Sequence, residues 1–190
     1  MEERATGIPE GQDLSTSLAR ANVWTLAISL PLVALMLVAY LALSPARSLS
    51  AAGFSLRGGL IFLVLMIAGI VVHEGIHALA WSAFGRMPFK RIRLGFQAST
   101  LTPYAHALDP MPARAYRLGA LMPALLLGVV PFAVGTAIGS LLLALYGMIF
   151  VFAAGGDLLI LWLIRNVDPH ALVLDHPSRA GCIVLPVRHV

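Results

Sequence analysis

Charge is scarce in this sequence, and so are cysteine and glutamate. Asp, Glu, Lys and Arg make up 12% of the 190 residues, while apolar residues reach 59%. A soluble domain carries roughly twice that charge. With a mean hydropathy of +0.87, an ordinary soluble globular domain is excluded and an integral membrane protein is expected. At this length the chain is one domain of a few spans and short loops, with no separate soluble catalytic unit. The lone Cys182 excludes an intramolecular disulfide and fits a reducing side of the membrane. The net charge of +4 does not point to nucleic acid, because the basic residues flank apolar runs.

Those runs define the spans. A crossing helix needs about 20 mostly apolar residues. The first run, 21–43, stops at Ser44-Pro45 and exceeds the apolar core of a cleaved signal peptide, which is about 7–15 residues, so it reads as an anchor, with cleavage as the alternative. The second is 58–84. The third, 118–164, would be about 70 Å long as a single helix, so it must fold back near Gly135–Ser140, giving spans of 118–136 and 139–164. The expectation is an all-α membrane protein of four transmembrane helices, with a loop at 85–117 and a tail at 165–190. In that loop Ile92, Leu94 and Phe96 alternate with Arg91, Arg93 and Gly95, a strand-like period that 97–107 can return beside. Asp175–Arg179 reads as a turn, and Asn166, His170 and His176 as ordinary tail residues. Trp24, Trp81 and Trp162 near span ends read as interface anchors. Alternate sides of the membrane carry 11 and 2 Lys and Arg residues. Both termini and the 85–117 loop are therefore expected in the cytoplasm, at the plasma membrane of a prokaryote.

Inside the second span lies His73-Glu74-Gly75-Ile76-His77, an H-E-x-x-H motif. Four residues on a helix bring both imidazoles to one face, as two ligands of one zinc ion require, with Glu74 beside them as general base on a zinc-bound water. Ionisable groups in a span cost about 2.5–3.5 kcal/mol each, and so mark function by default. The bland reading is a polar cluster that joins helices by hydrogen bonds. Catalytic zinc has three protein ligands. The glutamates are Glu2, Glu3, Glu10 and Glu74, so none follows the motif, and an extended H-E-x-x-H-x-x-G-x-x-H pattern fails at Ala80 and Ala83. Of the acidic and histidine side chains that follow the motif, only Asp157 lies within a span. It sits about 12 Å from its helix's cytoplasmic end, against about 13 Å for His77. Asp157 is a candidate third ligand, or else the partner of a polar group in another helix.

With these residues the chain resembles the core of the site-2-protease class of intramembrane zinc metalloproteases. It resembles more closely a family of small zincin-type integral membrane peptidases. The second likeness rests on the motif at 73–77, Tyr-Ala-His at 104–106, Leu-Met-Pro at 121–123, Gly-Gly-Asp at 155–157 and Asp-His-Pro at 175–177. It implies Asp157 as third ligand to one Zn2+ per chain, and a membrane protein or peptide substrate cleaved in or near the bilayer. In site-2 proteases the Asp helix carries upstream asparagine and proline and its Asp precedes Gly. Here the glycines precede Asp157, Leu158 follows, and no polar group stands at 151–154.

Secondary candidates lie in the 85–117 loop. If it folds over the metal, His106 can stabilise a developing oxyanion, the alternative being a surface histidine; Tyr104 has a weaker claim. The strand at 91–97 can pair with an extended substrate. Two rival functions stand beside the peptidase. A histidine-box lipid oxygenase needs more than the six histidines present. A non-catalytic metal-binding membrane scaffold or adaptor would have no use for Glu74, which is intact.

Overall fold

The computed structural model describes residues 11–45, 55–97 and 102–186. Arg4, Arg47, Arg188 and His189, and the tip of the loop near residue 100, lie outside them. Uncharged apolar runs leave the backbone to satisfy its own hydrogen bonds, which in lipid selects helices. The first run forms α1 (Leu18–Leu43), capped by Ser17, whose side chain accepts from the Arg20 N–H at 3.4 Å. The second forms α2 (Leu56–Gly85), capped by Ser55 and closed at Arg86, which turns to φ 54°.

The third run folds back on itself, but not with the expected bounds. Its first arm begins at Ala113, not 118, and runs continuously to Ile138. It comprises α3 (Ala113–Pro123), a π-helical stretch (Ala124–Val129) and α4 (Val130–Ile138). Pro131 has no N–H to return to the carbonyl one turn back, and the helix widens there. Arg117, expected in the loop, lies in α3 and donates to the carbonyls of Ile164 and Val167. The turn is at Gly139 (φ 72°), and Ser140 caps the next helix, α5 (Leu141–Ala153). Gly135 lies inside α4 instead, where a Cβ would come 2.4 Å from the Ala144 nitrogen, so it serves the close approach of α4 and α5.

The second arm is also not one straight span. After α5 the chain bends by 43° at Ala154 into α6 (Gly155–Leu163). At the bend Ser29 of α1 donates its hydroxyl to the Phe152 carbonyl at 3.2 Å. Among the described residues, three helices are long and apolar enough to cross a membrane, and the bent α5–α6 pair makes a fourth if it counts as one span.

The all-α expectation needs correction, because strands join the ends of the chain. β1 (Gln12–Thr16), β4 (Met111–Pro112), β5 (Leu172–Asp175) and β6 (Ala180–Val184) form an antiparallel sheet in the order β1-β6-β5-β4. The tail is thus not a plain extension. Its expected turn connects β5 to β6, and His176 Nδ1 accepts there from the Ser178 and Arg179 N–H groups at 3.1 and 3.0 Å. Between α2 and α3, β2 (Ile92–Gln97) and β3 (Thr102–Ala107) form the hairpin that the period-2 pattern suggested. Trp81, Met87, Met111, Tyr116, Val173 and Cys182 bury one another where α2, α3 and the sheets meet. Trp81 is therefore a core residue and not an interface anchor, whereas Trp24 and Trp162 are exposed. Burial pushes the Cys182 thiol up to about 12, so it packs as a neutral group.

Candidate metal centre

One helical turn separates His73 from His77, and α2 presents both toward α6. Asp157, in the first turn of α6, meets them there. His73 Nε2 lies 3.2 Å from Asp157 Oδ2, and His77 Nε2 lies 3.4 Å from Asp157 Oδ1. The three potential ligand atoms fall within 4.8 Å of one another. Zinc bonds of about 2.0–2.2 Å in a tetrahedron put neighbouring ligand atoms about 3.3–3.5 Å apart, so the spacing fits. The donor set of two imidazoles and one carboxylate suits zinc as well.

The surroundings fix the ligands. A carbonyl only accepts, so His77 Nδ1 donates to Gly119 O at 3.0 Å, and the lone pair of the neutral ring is left on Nε2, facing Asp157. Trp81 stacks beside His77 with centroids 5.4 Å apart, and Tyr116 stacks on Trp81 at 5.7 Å. A Cβ on Gly119 would fall 2.1 Å from Trp81 Nε1, so glycine admits the indole there. Phe150 lies against His73 with centroids 6.5 Å apart.

A cavity of about 230 Å³ opens beside the three ligands, and Glu74 lines it with them. β3 forms part of the opposite wall. Its even-numbered residues pair with β2, as the Leu108 N–H to Arg91 O bond continues. Its odd-numbered residues turn their backbone groups the other way: the Ala107 N–H donates to Asp175 Oδ2 at 3.3 Å, and the Ala105 N–H meets the Glu74 carboxyl. The strand edge beside Glu74 thus belongs to β3, not to the 91–97 strand.

The structure brings His73, Glu74, His77 and Asp157 together. Tyr104 lines the same cavity, but His106 does not. His106 Nδ1 instead pairs with Asp175 Oδ2 at 2.9 Å, and this hydrogen bond raises the imidazole above its ordinary value against the effect of burial. Asp175 itself reaches the cavity wall and accepts from the Tyr116 hydroxyl at 2.7 Å. Sequence reasoning missed Asp175 because it sought acidic partners only within spans. Its signal was the Asp-His-Pro run at 175–177. Trp81 and Tyr116 had no signal beyond being aromatic.

Residues 66–172, more than half of the chain, match the model of a protein family described as "Putative zincin peptidase". No curated protein and no solved structure matches.

Proposed function

From the premise that the chain belongs to this "Putative zincin peptidase" family, we propose that it is a zinc-dependent endopeptidase acting on peptide bonds in or near the membrane. The observation that carries the reading is the convergence of His73, His77 and Asp157 beside a cavity that Glu74 shares. In this reading the three side chains hold one zinc ion per chain. When bound, zinc supplies a Lewis acid that polarises the scissile carbonyl and makes water a nucleophile near neutral pH. Glu74 takes the proton of the attacking water and passes it to the leaving amine. The Ala105 N–H steadies its carboxylate, and the Gly119 carbonyl keeps His77 in the ligating tautomer. His106 lies outside the cavity wall and acts on the site only through Asp175, which reaches that wall and which its Nδ1 holds.

On the β3 edge beside Glu74 the Ala105 and Ala107 N–H groups are engaged and Pro103 has none, so an extended peptide backbone would meet the carbonyls of that edge. The substrate is a membrane protein or membrane peptide, and nucleic acid is not a partner. The enzyme sits in a prokaryotic plasma membrane with both termini and the hairpin on the cytoplasmic side, and its metal site is related to that of the site-2 proteases. Glu74→Gln tests the mechanism. The variant should keep zinc at the wild-type level and lose at least about a hundredfold in turnover, the usual weight of a general base. Turnover at the wild-type level would remove Glu74 from the chemistry, whereas a zinc-loaded wild type without any peptidase turnover would leave a metal-binding scaffold as the better account.

A further inference from the structure

The two adjacent glycines before Asp157 face different surroundings. A Cβ on Gly155 would fall 2.1 Å from Ser29 Oγ, inside the contact with α1, whereas a Cβ on Gly156 meets nothing within 4 Å. The empty space at Gly156 belongs to the metal cavity. Gly156, Asp157 and Ile160 line it from one face of α6, and Ala153, the last residue of α5, lines it from across the bend at Ala154. On that face the ligand Asp157 has side chains of minimal size on its N-terminal side. Ala120 of α3 and Ala105 of β3, which close the same cavity, are equally small. Larger residues at these four positions would fill the space beside the ligands.

We propose that this small-residue wall is the subsite for a large apolar side chain of the substrate, next to the scissile bond, and that Gly156 sets the largest side chain it admits. The inference rests on the peptidase reading, since it needs a peptide held at the metal. The wall supplies no charged group from these four residues, so its preference is for aliphatic or aromatic over charged side chains. One methylene in an apolar pocket changes binding by about tenfold or more, so filling the subsite should be read easily in a binding experiment.

The test uses the full-length, zinc-loaded protein in detergent micelles. Its probes are two peptide hydroxamates that differ only in the side chain next to the chelating group, isobutyl or methyl. Wild type should bind the isobutyl compound at least about tenfold more tightly. Gly156→Val should abolish that preference by weakening the isobutyl compound, while the methyl compound and the zinc stoichiometry stay at wild-type values. Gly156→Ala should fall between. Equal weakening of both compounds in Gly156→Val, or an undiminished isobutyl preference, overturns the proposal alone. A wild-type protein that takes up no zinc overturns the peptidase reading and this proposal with it.

Discussion

Replacing Gly155 by alanine should disturb the metal site from behind. The added Cβ would lie 2.1 Å from Ser29 Oγ and 2.7 Å from Thr25 Cγ2, and both belong to α1, which offers no ligand. Neither neighbour is a long side chain that can swing away, so α6 must move off α1. The Ser29 bond to the Phe152 carbonyl is strained with it. Overpacking of this kind costs about 1–3 kcal/mol, while alanine in place of a helical glycine returns up to about 1 kcal/mol. The net loss is up to about 2–3 kcal/mol, a fall of several degrees in Tm for a chain of this size. Asp157 is two residues further along α6 and moves with it. Changes in groups that orient metal ligands typically cost about 10–100-fold in affinity, and a loss in that range is expected in a zinc competition titration against a chromogenic chelator. Gly156→Ala, one residue away, should bind zinc as wild type does and melt no lower. Adding Ser29→Gly to Gly155→Ala removes the nearest atom and should restore part of the affinity. Wild-type zinc affinity in Gly155→Ala, or equal losses in the two alanine variants, would refute the view that α1 packing sets the position of Asp157.

Two further outcomes concern the wall around Asp175. Asp175→Ala leaves the buried Tyr116 hydroxyl without its acceptor, which should cost about 1–3 kcal/mol in a denaturation measurement; adding Tyr116→Phe should recover that part and leave the part owed to the Ala107 N–H and His106, which also lose Asp175, and no recovery at all would place the loss elsewhere. The His106–Asp175 pair should depend on pH: because the folded imidazole titrates above its ordinary value, its stabilisation is complete below about pH 6.5 and fades as pH rises through the folded value. The Tm gap between wild type and His106→Gln should therefore be wider near pH 5.5 than near pH 9, and a constant gap would contradict this origin.

The parts legible in the sequence are those that local pattern dictates. The length of the apolar runs determined that the third must turn back, and helical periodicity put His73 and His77 on one face. Period-2 alternation marked Ile92–Phe96 as a strand. What stayed hidden depends on contacts between distant segments. β1 pairs with β6 across most of the chain, with Thr16 opposite Ala180, and no local signal joins two such short stretches. The break at Ala154 sits in an apolar run without proline. Trp81 looked like an interface residue because it lies near the end of a span, but the hairpin and α3 cover it. Gly155 and Gly156 read alike in sequence, and only the position of α1 separates a packing glycine from one that faces the cavity.

The central claim is that His73, His77 and Asp157 hold one zinc ion. Metal content of the purified full-length protein, measured for wild type, His73→Ala and Asp157→Ala, tests it most directly. The account predicts about one zinc per wild-type chain and loss of it in both variants. Stoichiometric zinc retained in Asp157→Ala would contradict the three-residue site, and a wild-type protein that stays metal-free after zinc supplementation would contradict the metal centre as a whole.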